Sequence, residues 1–306
     1  MSKIFGIDVS FWQGNFDFKK AKNEGVKFVI LRGAYSTGKD SKFETYYKEA
    51  KAQGLNVGVY LYSMATTTSK AKEEAEKLYN NCLKGKQFEL PIYFDIEDKV
   101  QKKLSKKTNT EIVKTFCSTL ENKGYWVGIY ASKSFYNEYL NDKELQKYSH
   151  WVAQWSKSCT YKGNSGVLGM WQFGGETNAI RSNKVAGKVC DQNYMLIDYP
   201  SKIKSRGLNG FKKTTPESKP STNTSSSFFP KKGYFSFGDT HANIGKIASF
   251  MYKTFPAYTR KEALGNYYGK NIQASIKEFQ RRTGLEPDGN IGPLTLKMLV
   301  KYGFKY

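Results

Sequence analysis

Two carboxylates that close an apolar, strand-like run are the first candidates for chemistry in this sequence. Residues 90–97 read Leu-Pro-Ile-Tyr-Phe-Asp-Ile-Glu, so Asp95 and Glu97 are two positions apart. On a strand, residues i and i+2 lie on one face, roughly 7 Å apart at their Cα atoms. Paired acids in unequal environments suit acid and base catalysis on a sugar or a phosphate ester. An ordinary strand that ends in solvent also produces Asp-x-Glu, so the rest of the chain has to decide.

The segments around this run alternate between strand-like and helix-like patterns up to about residue 140. Apolar runs lie near residues 4–9, 28–32, 57–62, 91–96 and 127–131, and periodic charged segments near 17–24, 40–53, 69–83 and 108–123. This alternation predicts βα units with parallel strands and outer helices. Three more strand-like runs follow at 150–155, 168–173 and 189–191. They lie too close together for full helices, so the pattern predicts eight strands, five followed by helices and three nearly bare.

Four acids lie at the ends of these predicted strands. We place Asp8 at the end of the first strand, Asp95 and Glu97 at the end of the fourth, and Asp191 at the end of the last. In a parallel αβ barrel, functional side chains gather at the carboxyl ends of the strands. We therefore predict that these acids share one rim, although each alone is more often a cap or a surface charge. Arg32 ends the second strand and either neutralises or positions one of the acids, or forms a structural ion pair.

Several separated motifs agree with one family in order and spacing. They are Asp8-Val-Ser-Phe-Trp-Gln-Gly, Phe94-Asp95-Ile-Glu97, Trp151-Val-Ala-Gln-Trp155, Trp171-Gln172-Phe and Asp191-Gln-Asn193. Through them, residues 1 to about 208 resemble family 25 of the glycoside hydrolases, the N-acetylmuramidases of the phage and autolysin type. The resemblance implies an α/β fold, a distorted TIM-like (β/α)5(β)3 barrel, and cleavage of the β-1,4 bond between N-acetylmuramic acid and N-acetylglucosamine. It implies that Glu97 is the catalytic acid and that Asp8, Asp95 and Asp191 support it, without cofactor or metal.

Seven further side chains are predicted to bind substrate around these acids. They are Arg32, Tyr60, Tyr62, Tyr130, Trp155, Trp171 and Gln172. The family's groove aromatics correspond to Trp155, Trp171 and one of the two tyrosines at 60 and 62, and Tyr62 departs from relatives that often carry His or Phe. Both tryptophans either face pyranose rings or pack inside the barrel. Like charges beside Glu97 are expected to raise its pKa, which keeps a proton available near neutral pH.

A change in composition divides the chain after the barrel. Residues 211–232 are rich in Ser, Thr, Pro and Lys and cannot bury a core, so we predict a flexible linker between a barrel at 1–210 and a domain at 233–306. Amphipathic stretches at 242–255 and 272–282 predict a small all-α domain. Residues 275–295 resemble the peptidoglycan-binding type 1 repeat, a three-helix module, which implies a wall anchor. Asp288 and the glycines near it are assigned to the shape of a loop.

The charge of the chain favours polyanionic partners. A formal net charge of +22 predicts attraction to nucleic acid, anionic membrane or anionic cell wall. No nucleic-acid recognition motif is visible and no run is long enough to span a membrane. The charge does not choose among these polyanions, but the two resemblances imply bacterial peptidoglycan as the partner, with anionic wall polymers as a further one. We expect no nucleic acid and no stable membrane insertion. The cysteines, which are Cys82, Cys117, Cys159 and Cys190, have no metal-knot spacing and are expected to be free thiols.

The expected location follows from the amino terminus, which shows no export signal. This favours a phage endolysin that stays in the host cytoplasm until a holin pore releases it to the wall, the alternative being a bacterial autolysin of the extracellular wall. Three competing functions stay open from the residues alone. They are a Mg²⁺-dependent phosphoesterase, a peptidase or amidase that pairs Cys159 with His150, and a noncatalytic basic binder of polyanions.

Overall fold

The computed structural model describes residues 3–161, 168–212, 228–230 and 232–305. The chain divides into two compact units, Met1–Glu217 and Ser218–Tyr306. Most of the predicted linker at 211–232 lies outside the described residues, so the domain bounds stay predictions. Phe228, which the sequence analysis assigns to that linker, is buried in the core of the second unit.

Eight strands of the first unit close into the predicted barrel. They are β1 (Ile4–Val9), β2 (Phe28–Tyr35), β4 (Asn56–Tyr62), β5 (Ile92–Asp95), β6 (Val127–Ser132), β7 (Ser149–Ala153), β8 (Leu168–Gly174) and β11 (Asp191–Met195). Three two-residue strands lie outside the closed ring: β3 (Gly38–Lys39), β9 (Lys184–Val185) and β10 (Lys188–Val189). The order around the barrel is β1, β11, β8, β7, β6, β5, β4, β2, and a β1–β2 pairing closes it.

The last barrel strand runs against both of its neighbours. β11 is antiparallel to β8 and to β1, whereas β1, β2 and the strands from β4 to β8 are parallel to one another. Asp191 therefore begins its strand, and the prediction that it ends the strand was wrong. Because the direction is reversed, the start of β11 lies at the rim where β1 ends, and Asp191 is paired there with Asp8.

Most of the helices begin at a side-chain cap. Those of the first unit are α1 (Phe18–Asn23), α2 (Phe43–Ala52), α3 (Thr68–Leu78), α4 (Lys106–Glu121), α5 (Lys133–Tyr139) and α6 (Tyr199–Arg206). Oxygens of Thr67, Ser105 and Ser132 accept backbone N–H groups at the starts of α3, α4 and α5, which satisfies donors that the helix leaves unpaired. The five helices after the first five barrel strands match the prediction, and α6 after the last strand was not predicted.

The barrel interior is filled from the amino ends of its strands. Phe28, Ile30, Tyr93, Trp151 and Met170 belong to one buried cluster, separate from the larger core between sheet and helices. A Cβ at Gly128 would lie 2.4 Å from the Tyr93 ring, so glycine gives that ring its space. A packed interior confines open, polar chemistry to the carboxyl rim.

The second unit is helical, as predicted. It contains α7 (Ala242–Thr254), α8 (Lys270–Thr283) and α9 (Pro293–Lys301) around a separate apolar core. Gln280 braces the loop before α9: its Nε2 donates to Asp288 Oδ1 at 2.8 Å, and its Oε1 accepts the Gly289 N–H at 2.9 Å. In the described part of the chain, no helix combines the length and apolarity that a membrane span requires.

Candidate active site

Four carboxylates lie at the carboxyl rim of the barrel. Asp8 is next to last in β1, Asp95 is the last residue of β5, Glu97 follows that strand, and Asp191 begins β11. The charge of Asp8 acts on each of the other three. The structure thus brings together the four acids named from the sequence.

Burial raises the pKa of all four carboxyl groups, because a poorly hydrated site disfavours their charged form. Burial and then the charge of Asp8 raise the pKa of Glu97 to about 7. Burial, Asp8 and Glu97 raise the pKa of Asp191 to about 8. For Asp95, burial followed by the charges of Glu97 and Asp8 holds the pKa well above its usual range. The cluster therefore retains protons near neutral pH, which a general acid requires.

Two amide side chains oppose this effect at Asp8. Asp8 Oδ2 accepts a hydrogen bond from Asn193 Nδ2 at 2.7 Å and another from Gln172 Nε2 at 3.1 Å. These bonds favour the carboxylate, so burial raises the Asp8 pKa only to about 6. Asn193 is itself oriented, since its Oδ1 accepts the Trp151 Nε1–H at 2.7 Å.

Gln172 connects Asp8 to the aromatic wall of the site. Its Oε1 accepts hydrogen bonds from Tyr130 Oη at 3.0 Å and from Trp155 Nε1 at 2.9 Å. With its oxygen held by two donors, its NH₂ group faces Asp8. Gln172 and Tyr130 were predicted to bind substrate, but both are buried and their polar atoms are engaged with each other. The structure makes them positioning residues instead.

One carboxylate oxygen of Asp95 can accept a hydrogen bond from a ligand. The residue is only 3% exposed, and among the described residues no hydrogen-bond partner reaches its Oδ1. A buried acceptor without a donor is costly, and native proteins rarely keep one without a reason. The unpaired oxygen lies on the rim beside Glu97, where an N–H or O–H group of a ligand would satisfy it.

Arg32 forms the structural ion pair that was the second of its two predicted roles. Its Nε lies 2.8 Å from Asp40 Oδ2, and its guanidinium lies 4.8 Å from the centroid of the Phe11 ring. Asp40 Oδ2 also accepts the Phe11 N–H at 3.1 Å. Through Asp40, the buried guanidinium therefore fixes the chain just after β1, and its charge favours the ionised form of Asp95.

The predicted groove aromatics divide into two groups. Trp155 is 45% exposed at the rim, and Tyr60 and Tyr62 are half-buried there. Trp171 is 1% exposed, lies in the outer core and donates its Nε1–H to the Gln154 carbonyl oxygen. Its assignment to substrate binding was wrong, because Gln172 faces inward and the preceding residue on a strand must face outward.

Sequence reasoning missed several rim residues. Asn193 is two positions after Asp191 and shares its face, a spacing that was available as a signal. Trp12 is 75% exposed and its ring centroid lies 4.4 Å from that of Phe11, just after β1. Tyr35 is also an exposed aromatic residue of this rim. The first motif contains Phe11 and Trp12, but only its acid was used.

The proposed pairing of Cys159 with His150 finds no support. His150 is fully buried, and its Nδ1 lies 2.9 Å from Tyr161 Oη. Burial lowers the pKa of the imidazole and raises that of the Cys159 thiol, so neither group is prepared for nucleophilic chemistry. Within the described ranges, no group of three or more His, Cys, Asp or Glu side chains is arranged to hold a metal ion.

Comparison with known proteins decides the family. The model described as "Glycosyl hydrolases family 25" matches residues 7–180. The chain belongs to this family. A second model, "Putative peptidoglycan binding domain", matches residues 255–299, so both resemblances read from the sequence are confirmed.

Relatives of this family 25 protein include curated lysozymes. The autolytic lysozyme of Clostridium acetobutylicum is 29% identical over 154 residues, which cover 50% of this chain and 45% of that protein. Lysozyme M1 of Streptomyces globisporus is 25% identical over 205 residues, or 61% of this chain and 69% of that protein. The chain thus matches slightly less than half the length of the autolytic lysozyme.

Solved structures of similar proteins confirm the barrel fold. The bacterial lysozyme from Streptomyces coelicolor aligns with a TM-score of 0.58 at 22% identity, over 69% of this chain and 99% of that one. The modular autolysin LytC from Streptococcus pneumoniae aligns with a TM-score of 0.54 at 25% identity, over 63% of this chain and 46% of that one. The family 25 barrel of this chain therefore has the predicted architecture.

Proposed function

We propose that the chain is a lysozyme that hydrolyses the β-1,4 bond between N-acetylmuramic acid and N-acetylglucosamine in bacterial peptidoglycan. The observation that carries this proposal is the pair at the end of β5. Glu97 has a pKa raised to about 7, and Asp95 beside it has a buried oxygen to which none of the described residues donates a hydrogen bond. Family membership and the lysozyme relatives support the same reaction.

Glu97 is the proton donor in this reaction. Its protonated carboxyl gives a proton to the glycosidic oxygen as the bond from that oxygen to the anomeric carbon breaks. A donor with a pKa near the working pH is protonated often enough to act and acidic enough to give up its proton. Afterwards the Glu97 carboxylate takes a proton from the water that completes hydrolysis.

Asp95 acts on the sugar that becomes positively charged. Its unpaired Oδ1 accepts the N–H of the 2-acetamido group, whose carbonyl oxygen then bonds to the anomeric carbon. Water opens this cyclic intermediate from the opposite face, so two inversions give net retention. The four acids also fit direct attack by water, with Asp8 or Asp191 holding the water, and the anomer of the product separates the two routes.

The second unit supplies attachment to the wall. Its match to a peptidoglycan-binding model supports binding of peptidoglycan, and the net charge of +22 supports further contact with anionic wall polymers. All four cysteines have free thiols, which is consistent with synthesis in a reducing cytoplasm. We therefore propose a cytoplasmic stage before holin-assisted release to the wall, with an autolysin of the extracellular wall as the alternative.

The test is digestion of purified cell walls by the full chain and by Glu97→Gln. We expect falling turbidity with the parent and at least a ~10²-fold lower rate with the variant, because the near-isosteric amide has no proton to give. Reduction of the new ends with borohydride should yield muramitol. Glu111→Gln, on the exposed face of α4, is the matched control. Glucosaminitol, or a Glu97→Gln rate within threefold of the parent, would contradict the proposal.

A further inference from the structure

Two stacked tyrosines extend the rim beyond the four carboxylates. The ring centroids of Tyr35 and Tyr62 lie 5.1 Å apart, with 7° between the ring planes. Tyr62 is half-buried and Tyr35, which covers it, is 48% exposed. We call these two rings the tyrosine platform. Because the outer ring of this stack is exposed to solvent, a ligand ring with an apolar face can stack on it.

A β-bulge puts Tyr35 on this face. Arg32 is paired with Tyr60 and Ala34 with Leu61, so the register between β2 and β4 shifts at Gly33. Strict alternation from Arg32 would have turned Ala34 toward the interior face. The extra residue instead pairs Tyr35 with Tyr62, and bulges are a known means of re-aiming a side chain.

Buried polar groups hold the platform from behind. Glu74 of α3 is fully buried, and its carboxylate accepts hydrogen bonds from Ser63 Oγ at 2.6 Å and from the Met64 N–H at 3.0 Å. Tyr35 Oη in turn donates to Met64 Sδ at 3.4 Å. Ser36 keeps a left-handed φ of 51° while its N–H donates to the Tyr62 carbonyl oxygen at 2.7 Å. Such strain persists only where the surrounding structure fixes it.

The platform is continuous with the catalytic acids. Tyr62 lies directly across from Asp95 in the pairing of β4 with β5. Its Oη donates to Asp98 Oδ2 at 3.0 Å, and Asp98 immediately follows Glu97. A polymer bound at Glu97 therefore has an aromatic surface beside it. The Asp98 carboxylate and the Tyr62 hydroxyl lie at the edge of that surface.

We propose that the tyrosine platform is an outer sugar subsite, where Tyr35 stacks on a pyranose ring of the glycan beyond the one held at Glu97. A pyranose has an apolar C–H face for the ring and equatorial hydroxyls for the polar edge. This inference rests on the proposed function and adds the place where a longer glycan gains affinity.

The test compares soluble peptidoglycan glycans of increasing length as substrates of the full chain and its variants. Tyr35→Ala should raise KM about fivefold to tenfold on glycans long enough to reach the platform, with kcat changed less than twofold, because lost uniform binding appears in KM. Tyr35→Phe should restore the parent KM, since the ring and not the hydroxyl does the stacking. Tyr79→Ala is the control, because this half-buried tyrosine follows α3 and packs on the core outside the barrel.

Three outcomes would count against the proposal. A KM increase of the same size at every glycan length would indicate a structural effect, and an unchanged KM at every length would show that the platform binds no sugar. Either result leaves the proposed function standing when the parent cleaves glycan. A parent that cleaves no glycan of any length would overturn the proposed function together with the subsite.

Discussion

At the residue scale, hydrogen bonds give different pKa values to carboxyl groups that are all buried. Burial raises the pKa of all four acids, but Asn193 and Gln172 donate to Asp8 and favour its ionised form. Glu97 is raised by burial and by that same Asp8 charge, so the anion at Asp8 helps to keep the proton on Glu97. Unequal environments within one cluster assign base and acid roles to residues of one chemical type.

The raised pKa of Glu97 predicts a pH-dependent gain in stability for Glu97→Gln. Its carboxyl has a folded-state pKa of about 7 against an ordinary value of 4.5, so its contribution is complete below pH 4.5 and is lost as the pH rises through 7. At pH 8 the parent must bury a charge that the variant lacks. We expect the free energy of unfolding of the variant to exceed that of the parent by roughly 1–3 kcal/mol at pH 8, and to be nearly the same as that of the parent at pH 4.

Urea unfolding followed by tryptophan fluorescence checks this prediction. All five tryptophans lie in the first unit, so the signal reports the barrel alone. Glu111→Gln, an exposed substitution on α4, is the control. A difference between parent and Glu97→Gln that is equal at both pH values would mean that the Glu97 charge is not the cause.

The unpaired Asp95 oxygen predicts the stereochemistry of the product. If it orients the 2-acetamido group, the parent should release a reducing end that is initially β. Asp95→Asn should lose at least ~10²-fold in kcat while it still binds glycan, since the amide cannot balance the positive charge of the intermediate. Rapid NMR of the new reducing end measures the anomer. An initial α anomer would establish direct attack by water.

At the element scale, features that depend on local sequence pattern were predicted correctly, whereas features that depend on the pairing of strands were not. The strand count, the βα alternation and the rim position of the acids follow from apolar runs and from the residues that end them. The reversed direction of β11 depends on its pairing with β1 and β8, which no local pattern encodes. The predicted fold class was therefore confirmed, although the prediction that Asp191 ends its strand was wrong.

The face on which a residue lies is equally a matter of register. Trp171 and Gln172 are neighbours, and the motif that contains both does not say which one faces the interior. A shift of one residue exchanges the two faces of a strand. The bulge at Gly33 has the same consequence for Tyr35, and this glycine, which directly follows the predicted strand at 28–32, was its only signal in the sequence.

Gly175 predicts a substitution that damages the rim without disturbing the core. A Cβ at this position would lie 2.0 Å from Asp191 Oδ1 and 2.6 Å from Trp155 Cζ2. Gly175→Ala should therefore displace both side chains and lower kcat/KM on soluble glycan by about tenfold or more, because small misplacements of catalytic groups are costly. Gly292→Ala is the control, since its Cβ meets nothing closer than 3.9 Å. Equal activity of the two variants would show that the rim tolerates the methyl group.

At the scale of the whole molecule, the two units have separate cores, and we propose that they have separate tasks. The barrel buries its apolar side chains without help from α7, α8 or α9, and those helices enclose a core of their own. Sequence composition predicts a change between them. It could not show that Phe211 packs against the barrel cluster or that Phe228 belongs to the second core, because both lie in a stretch whose composition resembles a linker.

A truncation that ends after Lys212 tests this division of tasks. Phe211 packs on the barrel, and the Lys204 ammonium lies 5.4 Å from its ring centroid, so a cut after residue 210 would remove a native contact. Residues 1–212 should fold and cleave soluble glycan at the parent rate, because the rim is built from barrel strands alone. On intact walls the truncated enzyme should be slower by about tenfold or more, since attachment raises the local concentration of the barrel at an insoluble substrate.

Residues 218–306 should sediment with walls by themselves, and raised salt should weaken that binding where anionic polymers contribute. If the isolated unit stays in solution and the truncated enzyme clears walls at the parent rate, the second unit is not an anchor, and its core serves a purpose other than attachment.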